Sequence, residues 1–78
     1  MNIKTTVGQR IKFLRNQAEI SQMELANLAN LDRTYITSVE NGKRNISIVN
    51  IEKVTSALNI TIKEFFRDAA FDNNPTSH

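Results

Sequence analysis

The 78-residue sequence is long enough for one domain and too short for two, so we expect residues 1–78 to form a single domain. Apolar residues make up 40% of the chain, which is typical of a globular protein. The absence of cysteine excludes a disulfide framework and a zinc finger, and a net charge of +2 is too small to identify a partner. No apolar run approaches the roughly 20 residues of a membrane span, and the N-terminus lacks the apolar stretch of a signal peptide. We therefore expect a cytoplasmic protein.

Positive charge is concentrated in two segments of the chain. Residues 1–15 carry four basic side chains and no acidic one, and residues 33–44 have a net charge of +2. The segments 16–32 and 45–78 have net charges of −3 and −1. Two basic segments of this kind are typical of a surface that contacts nucleic acid, although a mixed, solvated surface would have the same composition.

The first predicted helix spans residues 6–18. Val7, Ile11, Leu14 and Ala18 recur at intervals of three and four residues, so they share one face of such a helix. An apolar face of this kind is what a helix packs against its neighbours.

The second and third predicted helices, 21–29 and 32–41, are separated by a tight turn. Ser21 and Glu24 have the S-x-x-E spacing of a capping box at the start of the second helix. Asp32 can cap the third helix by accepting a hydrogen bond from a first-turn N–H. Two short helices joined in this way indicate a helix-turn-helix, whose second helix lies in the DNA major groove with its N-terminal residues on base edges.

Two further helices are predicted at residues 47–58 and 61–71. Ser47 is placed to cap the first of them, and Thr61 begins a second capping box. Residues 72–78 are polar and contain the only proline, so we expect a flexible tail. No useful stretch alternates between apolar and polar residues, so no strand is predicted. The prediction is an all-α, compact bundle of five helices.

Side chains of the third helix are the candidates for DNA recognition. Arg33 can bind guanine bidentately, and the methyl group of Thr34 can pack on thymine. Thr34, Ser38 and Asn41 share a face of this helix, with Arg33 and Thr37 on the adjacent face. The predicted base-contacting residues are Arg33, Thr34, Tyr35, Ser38 and Arg44, and the predicted backbone-contacting residues are Gln22, Thr37, Asn41, Lys43 and Asn45.

Several of these side chains have a structural alternative. Tyr35 either stacks on a sugar or donates to a phosphate, or buries its ring between helices with the hydroxyl outward. Gln22, in the first turn of the second helix, either grips a phosphate or is simply exposed. Lys43, Arg44 and Asn45 either contact the DNA backbone, with Arg44 reaching a base or a minor-groove edge, or form a solvated charge cluster.

Arg15 and Glu40 are predicted to form a structural ion pair between the first and third helices, because each lies near the end of its helix's apolar stripe. Breaking such a pair when it is partly buried would be costly.

The last two helices carry more large apolar residues than one side of a small bundle needs. Leu58, Ile62 and Phe65 are the predicted core residues among them. A homodimer needs a self-complementary patch, and we assign Val49, Ile60 and Phe66 to it. The alternative is that all of these side chains are core or singly exposed.

Three short motifs together resemble the phage-repressor-type helix-turn-helix superfamily: R-I-K-F-L-R at residues 10–15, I-S-Q-M-E-L-A at 20–26 and Y-I-T-S-V-E-N-G-K at 35–43. The resemblance covers about residues 7–66 and implies a lambda-repressor-like bundle. Residues 30–48, N-L-D-R-T-Y-I-T-S-V-E-N-G-K-R-N-I-S-I, closely resemble the controller proteins of restriction–modification systems.

The resemblance implies a homodimer on a pseudo-palindromic operator ahead of its own gene and the endonuclease gene. One dimer would recruit another for activation, with possible RNA polymerase contact, and a filled promoter would be repressed. It also implies the Arg15–Glu40 pair and DNA contacts by Arg33, Thr34, Tyr35, Gln22, Arg44 and Asn45. The chain departs from the superfamily at Glu19 and Asn30, where glycine is usual. A left-handed Glu19 would cost about 1 kcal/mol or more, so the first turn is expected to differ in shape.

Other classes of function fit the sequence less well. The only histidine is His78 in the polar tail, and the only glycines are Gly8 and Gly42, which leaves little from which to build a nucleotide site. We therefore expect no catalytic activity, no cofactor and no metal site. The alternatives that remain are a protein-interaction module, a DNA-binding antitoxin and a phage-type repressor. Salt-dependent binding to DNA separates the first of these from the others.

Overall fold

The computed structural model describes residues 1–72, and within that range it contains helices and no strand. The prediction of an all-α bundle of five helices is confirmed. The α-helices are α1 (Ile3–Gln17), α2 (Gln22–Ala29), α3 (Arg33–Glu40), α4 (Ile48–Ala57) and α5 (Ile62–Phe65), followed by a 3-10 turn at Ala69–Phe71. Apart from Asp72, the predicted flexible tail lies outside the described residues. None of the helices in residues 1–72 is both long and apolar enough to cross a membrane.

The first and last helices differ from their predicted bounds. α1 begins at Ile3 rather than residue 6, because the side chain of Asn2 accepts a hydrogen bond from the Thr5 N–H and caps an earlier start. α5 ends at Phe65 rather than residue 71. Beyond it the backbone of Asp68 is extended, and its carboxylate accepts a hydrogen bond from the Ala70 N–H, which starts the separate 3-10 turn.

The turns that flank α2 both use a left-handed residue that is not glycine. Asn30 has a φ of 58°, and the N–H of Leu31 donates to the carbonyl of Ala26 at 2.8 Å, which closes the turn into α3. Glu19 also has a φ of 58°, and the N–H of Ile20 donates to the carbonyl of Arg15 at 3.2 Å. The expectation that Glu19 would change the shape of the first turn is therefore wrong, because the chain adopts the left-handed conformation there at an energetic cost.

The core lies where α1 to α5 converge. Its fully buried side chains include one large apolar residue from each helix, namely Ile11, Leu25, Ile36, Val54 and Phe65. Leu58 is partly buried against them, as predicted. Ile62, which was also predicted to be core, is instead 38% exposed. The short helix α5 places the Phe65 side chain in the core and leaves that of Ile62 at the surface.

Close packing of α1 on α3 depends on Gly8. A Cβ atom at this position would collide with the carbonyl oxygen of Val39 and would lie 3.0 Å from that of Glu40. The absence of a side chain therefore lets the two backbones approach, which brings the end of α3 into reach of Arg15.

Candidate nucleic-acid interface

The N-terminal end of α3 lies at the protein surface. Asp32, Arg33 and Thr34 are all exposed, whereas Thr37 and Ser38 farther along the helix are half-buried. Asp32 makes no capping hydrogen bond, so the prediction that its side chain caps α3 is wrong. The first turn of α3 thus presents a cation and a hydroxyl to the outside, as a helix that enters a groove by its N-terminus requires.

Tyr35 is held on two sides by other residues. Its hydroxyl accepts a hydrogen bond from Nδ2 of Asn50 at 3.0 Å, and the guanidinium carbon of Arg44 lies 5.1 Å from its ring centroid. The ring itself is partly buried against the core. In the protein without DNA, Tyr35 therefore packs between helices, which is the second of the two alternatives. Its hydroxyl accepts a hydrogen bond from Asn50 but still has its own hydrogen to donate.

The C-terminal end of α3 is held by a buried ion pair. Arg15 donates from Nε to Oε2 of Glu40 at 2.7 Å and from Nη2 to Oε1 at 3.0 Å, so the predicted pair is bidentate. A third guanidinium hydrogen bond goes to the carbonyl of Ile20 at 2.9 Å. The side chains of Arg15 and Glu40 are only 10% and 1% exposed. Hydrogen bonding to Glu40 raises the pKa of Arg15 despite its burial, so this arginine stays charged.

Gln22 extends this ion pair into α2. Its Nε2 donates to Oε1 of Glu40 at 3.0 Å, and its Oε1 accepts from the hydroxyl of Thr37 at 2.8 Å. Gln22 is therefore half-buried and bonded within the protein, which the sequence did not predict. We call the four side chains Arg15, Gln22, Thr37 and Glu40 the polar lock, because together they join α1, α2 and α3.

The loop after α3 lies beside the start of that helix. Gly42 has a φ of 74°, a left-handed conformation that ends α3, and Asn41, Lys43, Arg44 and Asn45 are exposed around it. The contact of Arg44 with the Tyr35 ring brings this loop to the first turn of α3. Arg44 in the loop and Tyr35 in the first turn of α3, both predicted to contact DNA, are therefore neighbours.

The three residues assigned to a dimer surface have different environments. Val49 is 59% exposed on the first turn of α4. Phe66 packs edge-to-face on Phe65 and lines an apolar groove of about 180 Å³. Ile60 lies past the other end of α4, beside Leu14. Side chains that line the groove with Phe66 are Ile3, Lys4, Val7, Arg44, Asn45, Ile46 and Ile51.

Two side-chain contacts between helices were missed by the sequence reasoning. Asn50 carries no local signal of its bond to Tyr35, since the two residues belong to different helices. Arg10 donates to the carbonyl of Phe65 at 2.7 Å and to Oδ2 of Asp68 at 3.2 Å, which ties the end of α5 to α1. Within residues 1–72, no group of three His, Cys, Asp or Glu side chains is placed to hold a metal ion.

Comparison with known proteins identifies the family. Residues 11–65 match the helix-turn-helix family model. Control protein C.MunI from a Mycoplasma species is 47% identical over 68 residues, which are 86% of this chain and 92% of that protein. The restriction–modification controller protein C.AhdI from Aeromonas hydrophila has 44% identity and a TM-score of 0.81, over 85% of this chain and all of that one.

A third similar protein, the restriction–modification controller protein C.Esp1396I, has been solved as a tetramer with its natural 35-base-pair operator. That structure has 35% identity to this chain and a TM-score of 0.77, over 81% of this chain and 83% of that one. Variants of the same protein have been solved with an arginine, a threonine or a tyrosine replaced at three consecutive positions. The chain belongs to the helix-turn-helix family and, within it, to the restriction–modification control proteins.

Proposed function

We propose that this protein is a sequence-specific DNA-binding transcription regulator. It acts as a homodimer on a pseudo-palindromic operator that controls its own gene and a restriction endonuclease gene. The observation that carries the proposal is the exposed first turn of α3, with Arg33 and Thr34 at the surface and the other end of the helix fixed by the polar lock. A reading helix must be rigidly held if its side chains are to distinguish bases.

Base recognition falls to the N-terminal half of α3. Arg33 has the planar fork that pairs with O6 and N7 of guanine, and Thr34 offers a methyl group to thymine. Arg44 and Ser38 border this surface and are the further candidates for base contacts. The same order of arginine, threonine and tyrosine occurs here at residues 33–35 as in the three positions varied in C.Esp1396I, which supports this assignment.

Contacts with the DNA backbone surround the reading surface. Lys43 and Asn45 are exposed in the loop that follows α3, and Asn41 is exposed at its end. Gln22 retains one amide hydrogen beyond its bond to Glu40, so it can hold Glu40 and donate to a phosphate at the same time. Thr37 gives its hydroxyl hydrogen to Gln22, so its oxygen is left only as an acceptor.

The dimer surface is assigned to the groove beside Phe66 and the exposed first turn of α4. A two-fold interface pairs a patch with itself, so it needs both a protruding apolar side chain and a place that receives it. Val49 protrudes with 59% exposure, and the groove of about 180 Å³ is apolar. Ile60, beyond the C-terminal end of α4, is assigned to the edge of the same interface.

Regulation follows from filling adjacent operator sites. A first dimer bound upstream would recruit a second, and contact with RNA polymerase would activate transcription until a further dimer covers the promoter. The tetramer of C.Esp1396I on its natural operator supports cooperative binding by two dimers. The working compartment is the cytoplasm, where the operator DNA is found.

A gel-shift titration on the DNA that precedes the gene tests the function, with a scrambled duplex as control. We expect two stepped, sequence-specific complexes whose affinity falls steeply with salt, because phosphate contacts release counterions. Equal affinity for the scrambled duplex would contradict the proposal and favour a protein-interaction module.

The dimer assignment has its own test. Phe66→Glu and Val49→Glu should each produce monomers by sedimentation at micromolar concentration and should weaken operator binding. Phe13→Glu is the matched control, since Phe13 is 52% exposed on α1 and lies outside the proposed surface. Because Val49 is an exposed residue, its variant should fold even where Phe66→Glu does not. A Val49→Glu protein that remains dimeric at that concentration would remove Val49 from the interface.

A further inference from the structure

Asn50 joins the reading helix to α4 through a single side-chain hydrogen bond. Its Nδ2 donates to the hydroxyl of Tyr35 at 3.0 Å, and the residue is half-buried. The backbones of α3 and α4 approach each other at few points, since each packs mainly against α1 or α2. This bond is therefore a direct side-chain link between the first turn of α3 and the start of α4, in addition to the core that both helices share.

The amide of Asn50 is carried by a rigid turn. The side chain of Ser47 accepts a hydrogen bond from the Asn50 N–H at 3.1 Å and caps α4. Next to it in the chain, Ile51 is 7% exposed and anchors the same turn in the core. A side chain fixed in this way can position another one.

The bond from Asn50 determines what the Tyr35 hydroxyl can do. A phenol has one hydrogen to donate and lone pairs to accept. Accepting from Asn50 uses a lone pair and leaves the hydrogen for another partner. Arg44 lies against the ring at 5.1 Å, within the roughly 6 Å range of a cation–π contact, so the ring is also restrained from its face.

We propose that Asn50 is a positioning residue for DNA recognition, which fixes the Tyr35 hydroxyl as a hydrogen-bond donor toward an acceptor atom of the operator. The inference rests on the proposed function, because it requires that the first turn of α3 meets DNA. The acceptor is an oxygen or nitrogen atom, either on a base edge or on a phosphate. Asn50 itself need not touch the DNA.

The contact can be tested in the free protein. Tyr35 is the only tyrosine and the chain has no tryptophan, so the intrinsic fluorescence reports on this side chain. Asn50→Ala should increase quenching by acrylamide, because the ring loses a restraint. Asn27→Ala, at an exposed asparagine of α2, should leave quenching unchanged. Equal quenching in wild type and Asn50→Ala would overturn the proposal.

A double-mutant cycle tests the role in binding. Asn50→Ala and Tyr35→Phe should each weaken operator binding by about 3- to 10-fold, the usual worth of one hydrogen bond. In the Tyr35→Phe background, Asn50→Ala should have no further effect, because no hydroxyl is left to position. Fully additive losses would show that Asn50 acts independently of Tyr35 and would overturn the proposal.

Asn50→Asp provides a variant of nearly the same shape with the hydrogen bond reversed. A carboxylate only accepts, so it would take the phenol hydrogen away from the DNA. Since a carboxylate near a helix N-terminus is favourable, this variant should fold. Operator binding should fall more in Asn50→Asp than in Asn50→Ala. In the Tyr35→Phe background, the difference in affinity between these two variants should be smaller. An affinity equal to that of wild type would contradict the donor role.

Binding of the Tyr35→Phe variant to operators with single base-pair substitutions distinguishes an acceptor on a base from an acceptor on a phosphate. A base acceptor predicts relaxed preference at one base pair, and a phosphate acceptor predicts an equal loss on every duplex. A wild-type protein without sequence preference would overturn the proposed function and, with it, the DNA role of Asn50. Additive losses in a protein that does bind specifically would overturn the role of Asn50 alone.

Discussion

The two ends of α3 have opposite environments. At the start, Arg33 and Thr34 are exposed, and in the described part of the chain neither side chain has a hydrogen-bond partner. At the end, Val39 is 1% exposed and Glu40 accepts hydrogen bonds from Arg15 and from Gln22. One helix therefore carries the recognition side chains at one end and the structural ones at the other.

This division means that DNA binding and stability should be separable by mutation. A substitution at the exposed end removes a contact that the free protein does not make. A substitution at the buried end leaves polar groups without partners inside the protein, which costs stability directly. The substitutions that test this separation are given from the largest expected effect to the smallest.

Glu40→Ala should have the largest effect. It leaves the Arg15 guanidinium buried without its carboxylate, and removing one partner of a buried pair typically costs about 3–5 kcal/mol of unfolding free energy. Urea denaturation measures the loss, with Glu52→Ala at an exposed position of α4 as the control. A loss below about 1 kcal/mol would place this pair with ordinary surface salt bridges.

The pH dependence of the same variant sharpens the prediction. Glu40 raises the pKa of Arg15 in the folded protein, so the contribution of this arginine is complete below its ordinary pKa and is lost only as the pH rises through the raised value. Between pH 6 and 9 the destabilisation by Glu40→Ala should therefore stay constant. A loss that disappears toward pH 9 would show that Arg15 can release its proton.

Arg33→Ala should weaken operator binding by about 1–3 kcal/mol and relax specificity at one base position. The unfolding free energy should change by less than about 0.5 kcal/mol, because the side chain is exposed. Competition binding with singly substituted duplexes measures the first quantity, and Lys53→Ala on α4 is the control. An unchanged ratio of specific to nonspecific affinity would show that Arg33 does not read a base.

Glu19→Gly should stabilise the fold by roughly 0.5–1 kcal/mol, because glycine adopts the left-handed conformation of this residue without strain. Asn30→Gly should gain less, since asparagine tolerates that conformation better. Denaturant midpoints compare the two variants, and operator affinity should remain unchanged in both. A destabilised Glu19→Gly protein would show that the glutamate side chain makes a favourable contact of its own.

Lys43→Ala should have the smallest effect. Lys43 is exposed in the loop after α3, and the loss of one phosphate contact should weaken all duplexes alike and lower the salt slope by about one. Affinities at four or more salt concentrations, on operator and scrambled DNA, measure the slope. An unchanged slope with a changed base preference would make Lys43 a base-reading residue.

Local signals predicted much of the fold. The capping box of Ser21 and Glu24 is present, and Ser47 caps α4 as expected. Thr61 caps α5 by accepting from the Glu64 N–H, but the reciprocal bond from the Glu64 side chain, which the predicted second capping box requires, is absent from the described residues. The predicted extent of α5 was wrong because the apolar pattern continues through Ala69 and Phe71, whereas the helix ends at Phe65. Arg10 binds the carbonyls at the end of α5 from a distance of more than 50 residues in sequence, and no local pattern encodes such a bond.

The candidate site was predicted unevenly for the same reason. Arg15 and Glu40 could be paired from their positions on the apolar stripes of two helices. The partners of Gln22 and the bond between Asn50 and Tyr35 depend on how the helices cross, which the spacing of residues within one helix does not determine. Arg33 could be proposed from the sequence because an arginine can bind guanine and because it lies at the N-terminal end of the second helix of the motif.

An NMR titration with the operator duplex tests most directly whether the exposed end of α3 meets DNA. Amide shifts should be largest at residues 33–35 and in the loop at 43–45, with small changes at Val39 and at the exposed Asn27 near the end of α2. The largest shifts on α2 or on α5, with the first turn of α3 unperturbed, would contradict the account.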